Sequence, residues 1–284
     1  MFTIIGWVIV IGVIIGGYIM AGGHVAILMQ PIEVLIIFGA AAGATLAGNT
    51  MTDLKAFGSG IGAAFKGSAY TKQKYMETLG LMFNLFAKAR KDGLMSVEGD
   101  IEEPENSETF KKAPLVAKDH HATDFIADYM RLMISSSLDV HQIDNLMDVE
   151  IETHHHEASV PGSMMSKLAD ALPAFGIVAA VLGVVHTMES VSLPPAELGK
   201  LIAAALVGTF LGILAAYGFF APLANVMTKQ GEEGTVYFNC LKATLIAFMN
   251  GYPPQVAVEF GRKTLPSHLR PGFRELEEFI KSNK

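Results

Sequence analysis

The sequence predicts an all-α membrane protein with four crossings and a large helical cytoplasmic region. Composition is the first reason. Over 284 residues the mean hydropathy is +0.37, and charged residues make up only 17%, against roughly 25% in an ordinary soluble domain. The second is distribution, because four stretches of the chain are almost free of charge. Each is long enough to supply the roughly 20 apolar residues that a bilayer-spanning helix needs.

The first stretch, Met1 to Ile32, is interrupted by Gly22, Gly23 and His24 and then by Gln30-Pro31, placing a crossing at about Ile4 to Met20. It lacks the basic start and small-residue cleavage site of a signal peptide, so it is read as retained. The second runs from Val34 to Thr52, after Glu33. The third, Ala171 to Met188, covers 18 residues between Asp170 and Glu189, and the fourth runs from Leu201 to Thr228. A soluble core rarely buries uncharged helices of this length, and four of them favour the membrane. The chain then divides into crossings one and two (1–52), a cytoplasmic helical region (53–170), crossings three and four (171–228) and a cytoplasmic tail (229–284).

Basic residues set the orientation. Of the 21 Lys and Arg, 12 fall between Asp53 and Asp170, 8 between Lys229 and Lys284, and the last is Lys200. The positive-inside rule therefore puts both termini and the long segment in the cytoplasm, with two short turns outside. In the cytoplasmic region, Leu79, Met82, Phe83 and Phe86 recur at helical spacing, and Gly93 follows as a stop. A second helix is expected from Thr123, with Phe125, Tyr129, Leu132 and Met133 as its stripe. Ile143, Leu146, Met147 and Ile151 continue the period beyond Ser135–Ser137.

Several classes of function are disfavoured. A net charge of −7 does not suit a nucleic-acid binder. Cys240 is the single cysteine, which excludes an intramolecular disulfide and a cysteine metal site. No phosphate-binding glycine loop is present, no hydrolase triad suggests itself, and no catalytic residue is expected, so the chain is not read as an enzyme. His154, His155 and His156 are successive helical residues about 100° apart, which one metal cannot easily collect; they read as solvated surface, with no metal expected.

The crossings carry small residues at four-residue spacing: Gly12 and Gly16, Gly39 and Gly43, Gly176 and Ala180, and Ala204, Gly208, Gly212 and Ala216. Such ladders let helix backbones approach closely, either within one chain or between subunits. No crossing has a charged residue in its interior; Glu33, Glu189 and Lys200 are placed at ends. A proton carrier normally exposes an ionisable residue within the membrane, so here a partner would have to supply it, with Thr209 lining its path. The other reading of Thr209 is a hydroxyl bonded back to its own helix. Pro173 and Pro222 are placed at the cytoplasmic ends of crossings three and four, as hinges or as ordinary helix ends. Arg90 and Lys91, followed by Glu98, Asp100, Glu102 and Glu103, form opposite charge clusters that could steer a partner or simply meet solvent.

These residues together resemble the flagellar stator branch of the MotA/TolQ/ExbB proton-channel family. The resemblance covers nearly the whole chain and rests on LPAFGIVAA at Leu172–Ala180, GVVH at Gly183–His186, VGTFLGIL at Val207–Leu214 and AVEFGRKTL at Ala257–Leu265. GGYIM at Gly16–Met20 and DYMRL at Asp128–Leu132 are also similar. It implies a ring, a pentamer of this chain around two copies of MotB, in the bacterial inner membrane. MotB would supply a membrane aspartate and a peptidoglycan anchor. The resemblance further implies contact with the rotor protein FliG through Arg90 and Glu98, coupling at Pro173 and Pro222, and Thr209 and Tyr217 on the helix that faces MotB. Ala180 stands where sodium-driven relatives carry threonine, so protons are the expected ion, with no cofactor. Gly99 departs from the family pattern in the acidic stretch, and the triple histidine is not one of its features. A TolQ/ExbB-like energiser of an envelope protein is the alternative, although that plan has three crossings.

Overall fold

The structure is a computed structural model that describes residues 2–135, 138–189 and 192–283. Ser136 and Ser137, which the sequence places between two helical stripes, lie outside the described residues, as do Ser190 and Val191 of the outer connection. Every described element is a helix or a turn, and the chain separates into two compact units, 1–67 with 158–231 and 68–157 with 232–284.

The first unit holds the apolar helices. Helix α1 is Phe2–Met20, and a short 3₁₀ turn, Val25–Leu28, precedes α2, Pro31–Ala47. Helix α3, Met51–Lys66, opens with a capping box in which Thr50 and Asp53 satisfy each other's end groups. The numbering continues through the second unit: α4 (Lys72–Asp92), α5 (Glu98–Glu102), α6 (Glu108–Lys111), α7 (Pro114–Ala117) and α8 (His120–Ser135). Helix α9 is a single run, Val140–Glu189, of 50 residues. Helix α10, Pro195–Ile213, passes through a π turn at Leu214–Phe220 into α11, Ala221–Met249. Two short helices close the chain, α12 (Pro254–Thr264) and α13 (Phe273–Ser282). Four spans, Phe2–Met20, Val25–Ala47, one in Val140–Glu189 and one in Pro195–Met249, are long and apolar enough to cross a membrane.

Of the two readings of the prolines, hinges or ordinary helix ends, the helix-end reading is corrected here. Pro173 is not at a helix end, because α9 runs through it and through Pro161. Pro222 does not end its helix either. It has no N–H for the Gly218 carbonyl, and its ring would press on that carbonyl. The preceding turn widens to π geometry and the run continues. In long apolar helices, packing by neighbours offsets a missing backbone bond.

The second unit is built around α4, eleven of whose residues are buried. Thr71 caps its start and Gly93, at φ 86°, ends it in a conformation that side-chain-bearing residues resist. Leu79, Met82 and Phe86 enter the core as expected, and Phe86 stacks on Phe248 at 4.0 Å. Helix α8 begins three residues before Thr123, and its Phe125 and Tyr129 join the same core. Ile143, Met147 and Ile151 are buried, whereas Leu146 is exposed. The buried ammonium of Lys74 pairs with Asp119 at 2.5 Å and lies over the rings of Tyr70 and Tyr237.

Helix α12 crosses α11 at Gly261, where an added methyl group would fall 2.8 Å from the Cys240 carbonyl oxygen and against the Thr244 hydroxyl. Arg262, beside it, is buried and held by both oxygens of Glu259 and by the Pro271 carbonyl. The AVEFGRKTL segment is therefore packing machinery.

The histidine run is not uniformly solvated. His155 and His156 are exposed, but His154 turns inward against the Phe238 ring at 4.4 Å and the His121 ring at 5.8 Å. His154 Nδ1 is buried without a partner. No cluster of metal-ligating side chains occurs among the described residues.

Two predictions follow from this packing. Gly261→Val forces α12 off α11, and overpacking of this kind costs about 1–3 kcal/mol or more; a thermal-unfolding midpoint equal to that of the parent would contradict the tight crossing. Burial lowers the His154 pKa, with His121 beside it adding to the effect. The folded state thus favours neutral imidazole, and stability is full above the ordinary imidazole range and lost as pH falls through it. The midpoint of the solubilised protein should drop between about pH 7.5 and pH 5.5, and His154→Phe should flatten that slope. Parallel slopes in parent and variant would rule the assignment out.

Candidate functional site

Small residues bring α9 and α10 into contact. A methyl group added at Gly176 would lie 2.9 Å from the Gly208 carbonyl oxygen, and one at Gly212 would lie 2.7 Å from the Leu172 carbonyl oxygen. Gly183 meets Ala205 in the same way, at 2.7 Å between methyl carbons, and Gly208 faces Ala179 and Ala180. Further along α9, against α11, Gly162 packs on the Thr228 backbone and Gly231 on the Ala158 carbonyl. Two of the four ladders are thus used within the chain. The other two are open on this chain, with nothing within 4 Å of a side chain built at Gly12, Gly16, Gly39 or Gly43.

The structure brings some expected residues together and leaves others apart. Ala180 lies on α9 directly against Gly208, next to which stands Thr209, half-buried. Thr45, Thr187 and Thr244 each donate a hydrogen bond to their own helix. Thr209 makes no such bond among the described residues, so the back-bonded reading is not what is seen. Pro173 follows Leu172, whose carbonyl touches Gly212. Tyr217 and Pro222 lie one turn apart around the π segment, both exposed, with Tyr217 67% accessible.

Glu33 stands in the first turn of α2, at the helix end where the sequence places it, but its side chain does not turn out to the interface. Its carboxyl lies between Gly183 of α9 and Gly208 of α10, and Oε2 is buried with no hydrogen-bond partner among the described residues. Nothing in the sequence signals that inward turn. Glu189 stays exposed at its helix end, 3.9 Å from His186.

In the second unit, Arg90 in the last turn of α4 and Glu98 at the start of α5 are both exposed. The link between their helices runs from an exposed lysine to a buried aspartate. Lys88 Nζ binds Asp100 Oδ2 at 2.7 Å, and Ser107 donates to Asp100 Oδ1. Asp100 is buried rather than part of a solvated acidic face. Burial would raise its pKa, but the Lys88 and Ser107 hydrogen bonds outweigh that and hold it below the usual carboxylate range. Glu102 is tied to Arg131 at 2.7 Å. Gly99 has open space around it, so a side chain there would be tolerated.

Comparison with known proteins gives one consistent result. The motility protein A N-terminal profile matches residues 4–93, and the MotA/TolQ/ExbB proton channel family profile matches residues 117–239. Motility protein A of Salmonella typhimurium is 50% identical over 282 residues, covering 99% of this chain and 96% of its own. Motility protein A of Escherichia coli is 48% identical, covering 100% and 96%. Chemotaxis protein LafT of Vibrio parahaemolyticus is 38% identical, covering 94% of each. The fold is similar to the structure of Campylobacter (C. jejuni) MotAB, with TM-score 0.77 and 21% identity over 93% of this chain and 95% of that one. It is also similar to the flagellar MotAB stator complex of Bacillus subtilis, with TM-score 0.74 and 20% identity over 94% and 96%. Four apolar spans, a helical fold and identity along essentially the whole chain agree: this is a multi-pass membrane protein that belongs to the motility protein A family, within the MotA/TolQ/ExbB proton channel family.

Proposed function

We propose that this chain is the ring-forming stator subunit of a flagellar motor. In this reading five copies surround two MotB chains in the bacterial inner membrane, with both termini in the cytoplasm. Protons pass between the ring and MotB, and the work is delivered to the rotor protein FliG. The observation that carries the reading is the α9–α10 interface, a small-residue seam that holds Ala180 beside Gly208, with the half-buried Thr209 next to it.

A seam of this kind suits a switch. One elementary charge crossing 100 mV is worth about 2.3 kcal/mol, similar to the cost of an ionised carboxylate at the bilayer centre. Protonation of a MotB aspartate against this helix pair can therefore tip a packing held by weak close contacts. Thr209 offers the path a hydroxyl, and Ala180 leaves the space that threonine occupies in sodium-driven relatives. Pro173 and the π turn before Pro222 interrupt the regular backbone bonding of their helices, and Tyr217 lies on that turn. They are where a change of packing is absorbed and passed on. Arg90 and Glu98, exposed on helices joined by the Lys88–Asp100 bond, form the surface that pushes FliG.

Producing this chain with its cognate MotB in a motile strain lacking its stator should restore swimming. The rescue is expected to vanish with a protonophore and to ignore sodium withdrawal. Rescue that depends on sodium would overturn the reading of Ala180. A stable, inserted complex that restores nothing would overturn the motor itself. Thr209→Val, which keeps the shape and removes the hydroxyl, should slow swimming at least several-fold while the complex still assembles; unchanged speed would take Thr209 off the path.

A further inference from the structure

Glu33 has no role in the scheme above, yet its surroundings are unusual for a carboxyl. A methyl group added at Gly208 would fall 2.9 Å from Oε2, and one at Gly183 would fall 3.6 Å from Oε1. Glycines on two different helices thus open a notch that the carboxyl fills. Oε2 has no exposed surface and no donor. The notch is inside the apolar zone: Gly208 lies about 10 Å along its helix from Leu201, at 1.5 Å per residue. The turn before α2 is already folded against α10, and Ile27 and Leu28 line a shared cavity with Ala203, Leu206 and Val207.

Among the described residues, no counter-charge pairs with the group. The neighbouring positions on α9 are Ala179, Ala180 and Gly183, and those on α10 are Ala205 and Gly208. On α2 itself Glu33 is the only ionisable residue. The other titratable groups near the outer ends of these helices are His186 and Glu189, largely exposed beside one another, the exposed Glu197 and Lys200 of α10, and His24 before the turn that leads into α2. An ionised carboxylate without a donor or cation is strongly disfavoured in an apolar setting, whereas the protonated acid is not. A group needed only to fill the notch would carry less cost as an amide or a thioether. The notch also borders Ala180 and Thr209, the residues assigned to the ion path.

We infer that Glu33 is a second proton-binding group of that path, supplied by this chain and not by its partner. This rests on the proton-conducting reading above. The carboxyl is neutral while it occupies the glycine notch. When α9 and α10 part enough to admit water, its O–H bond breaks and the proton passes to that water, leaving a carboxylate. Hydronium from the outer side returns a proton and the neutral acid re-enters the notch.

The test uses the whole complex, this chain with its MotB, in cells and in liposomes. Glu33→Gln keeps the shape and removes the titration. It should assemble at the parent level, while proton conductance and swimming speed fall on the order of tenfold or more, as for loss of a positioned acid–base group. Glu33→Asp should keep part of both. Infrared pH titration should show a protonated-carboxyl band that survives replacement of the MotB aspartate by asparagine and disappears in Glu33→Gln. Parent-like conductance and speed in Glu33→Gln would reduce the residue to packing and overturn the inference. If Glu33→Gln fails to assemble, the spectrum of the parent with the MotB replacement decides, and no remaining titrating band overturns it. A parent complex that conducts no protons would instead fault the proton-channel reading, and the infrared titration would still report on Glu33.

Discussion

Close approach of two backbones organises the membrane unit. At Gly176, Gly183, Gly208 and Gly212 there is no room for a β-carbon on one helix without displacing the other. In lipid there is little hydrophobic gain from joining two apolar helices, so their association relies on dispersion at short range and on shape. A contact of that kind is strong only while it is close. Small displacements forfeit much of it, which makes the seam responsive to a charge appearing or disappearing beside it.

Most of the residues proposed for ion movement border this seam, Tyr217 and Pro222 on the π segment excepted. Ala180 and Thr209 flank the Gly208 contact, Leu172 and Pro173 flank the Gly212 contact, and Glu33 enters between Gly183 and Gly208. The neighbouring α10–α11 run passes through a π turn that answers the missing donor of Pro222.

The second unit obeys different rules. It holds a conventional apolar core around α4, with aromatic stacking, a buried Lys74–Asp119 pair and the Arg262–Glu259 fork. Arg90 and Glu98 can remain solvent-facing because neighbouring residues do the fastening. Lys88 and Asp100, each two positions along the chain from them, carry the ion pair. Arg90 and Glu98 thereby stay exposed on a fixed frame.

Hydropathy and charge in the sequence determined the four crossings and the helical cytoplasmic region, because lipid accepts only long apolar helices with satisfied backbones. Its motifs also determined the family, and its ladders marked which faces could pack closely. Tertiary structure alone decided which ladders are used within the chain, because four-residue spacing on one helix says nothing about its partner. It alone carried α9 through Pro173 and the α10–α11 run through Pro222, since a proline ends a helix only where no neighbouring packing outweighs the lost bond. It turned His154 and Asp100 inward from runs that look solvated, because burial depends on the facing side chains, Phe238 for one and Lys88 for the other. And it turned the Glu33 carboxyl from the first turn of α2 into a notch, because where a side chain goes follows from what stands opposite: two glycines more than 140 positions away in the sequence.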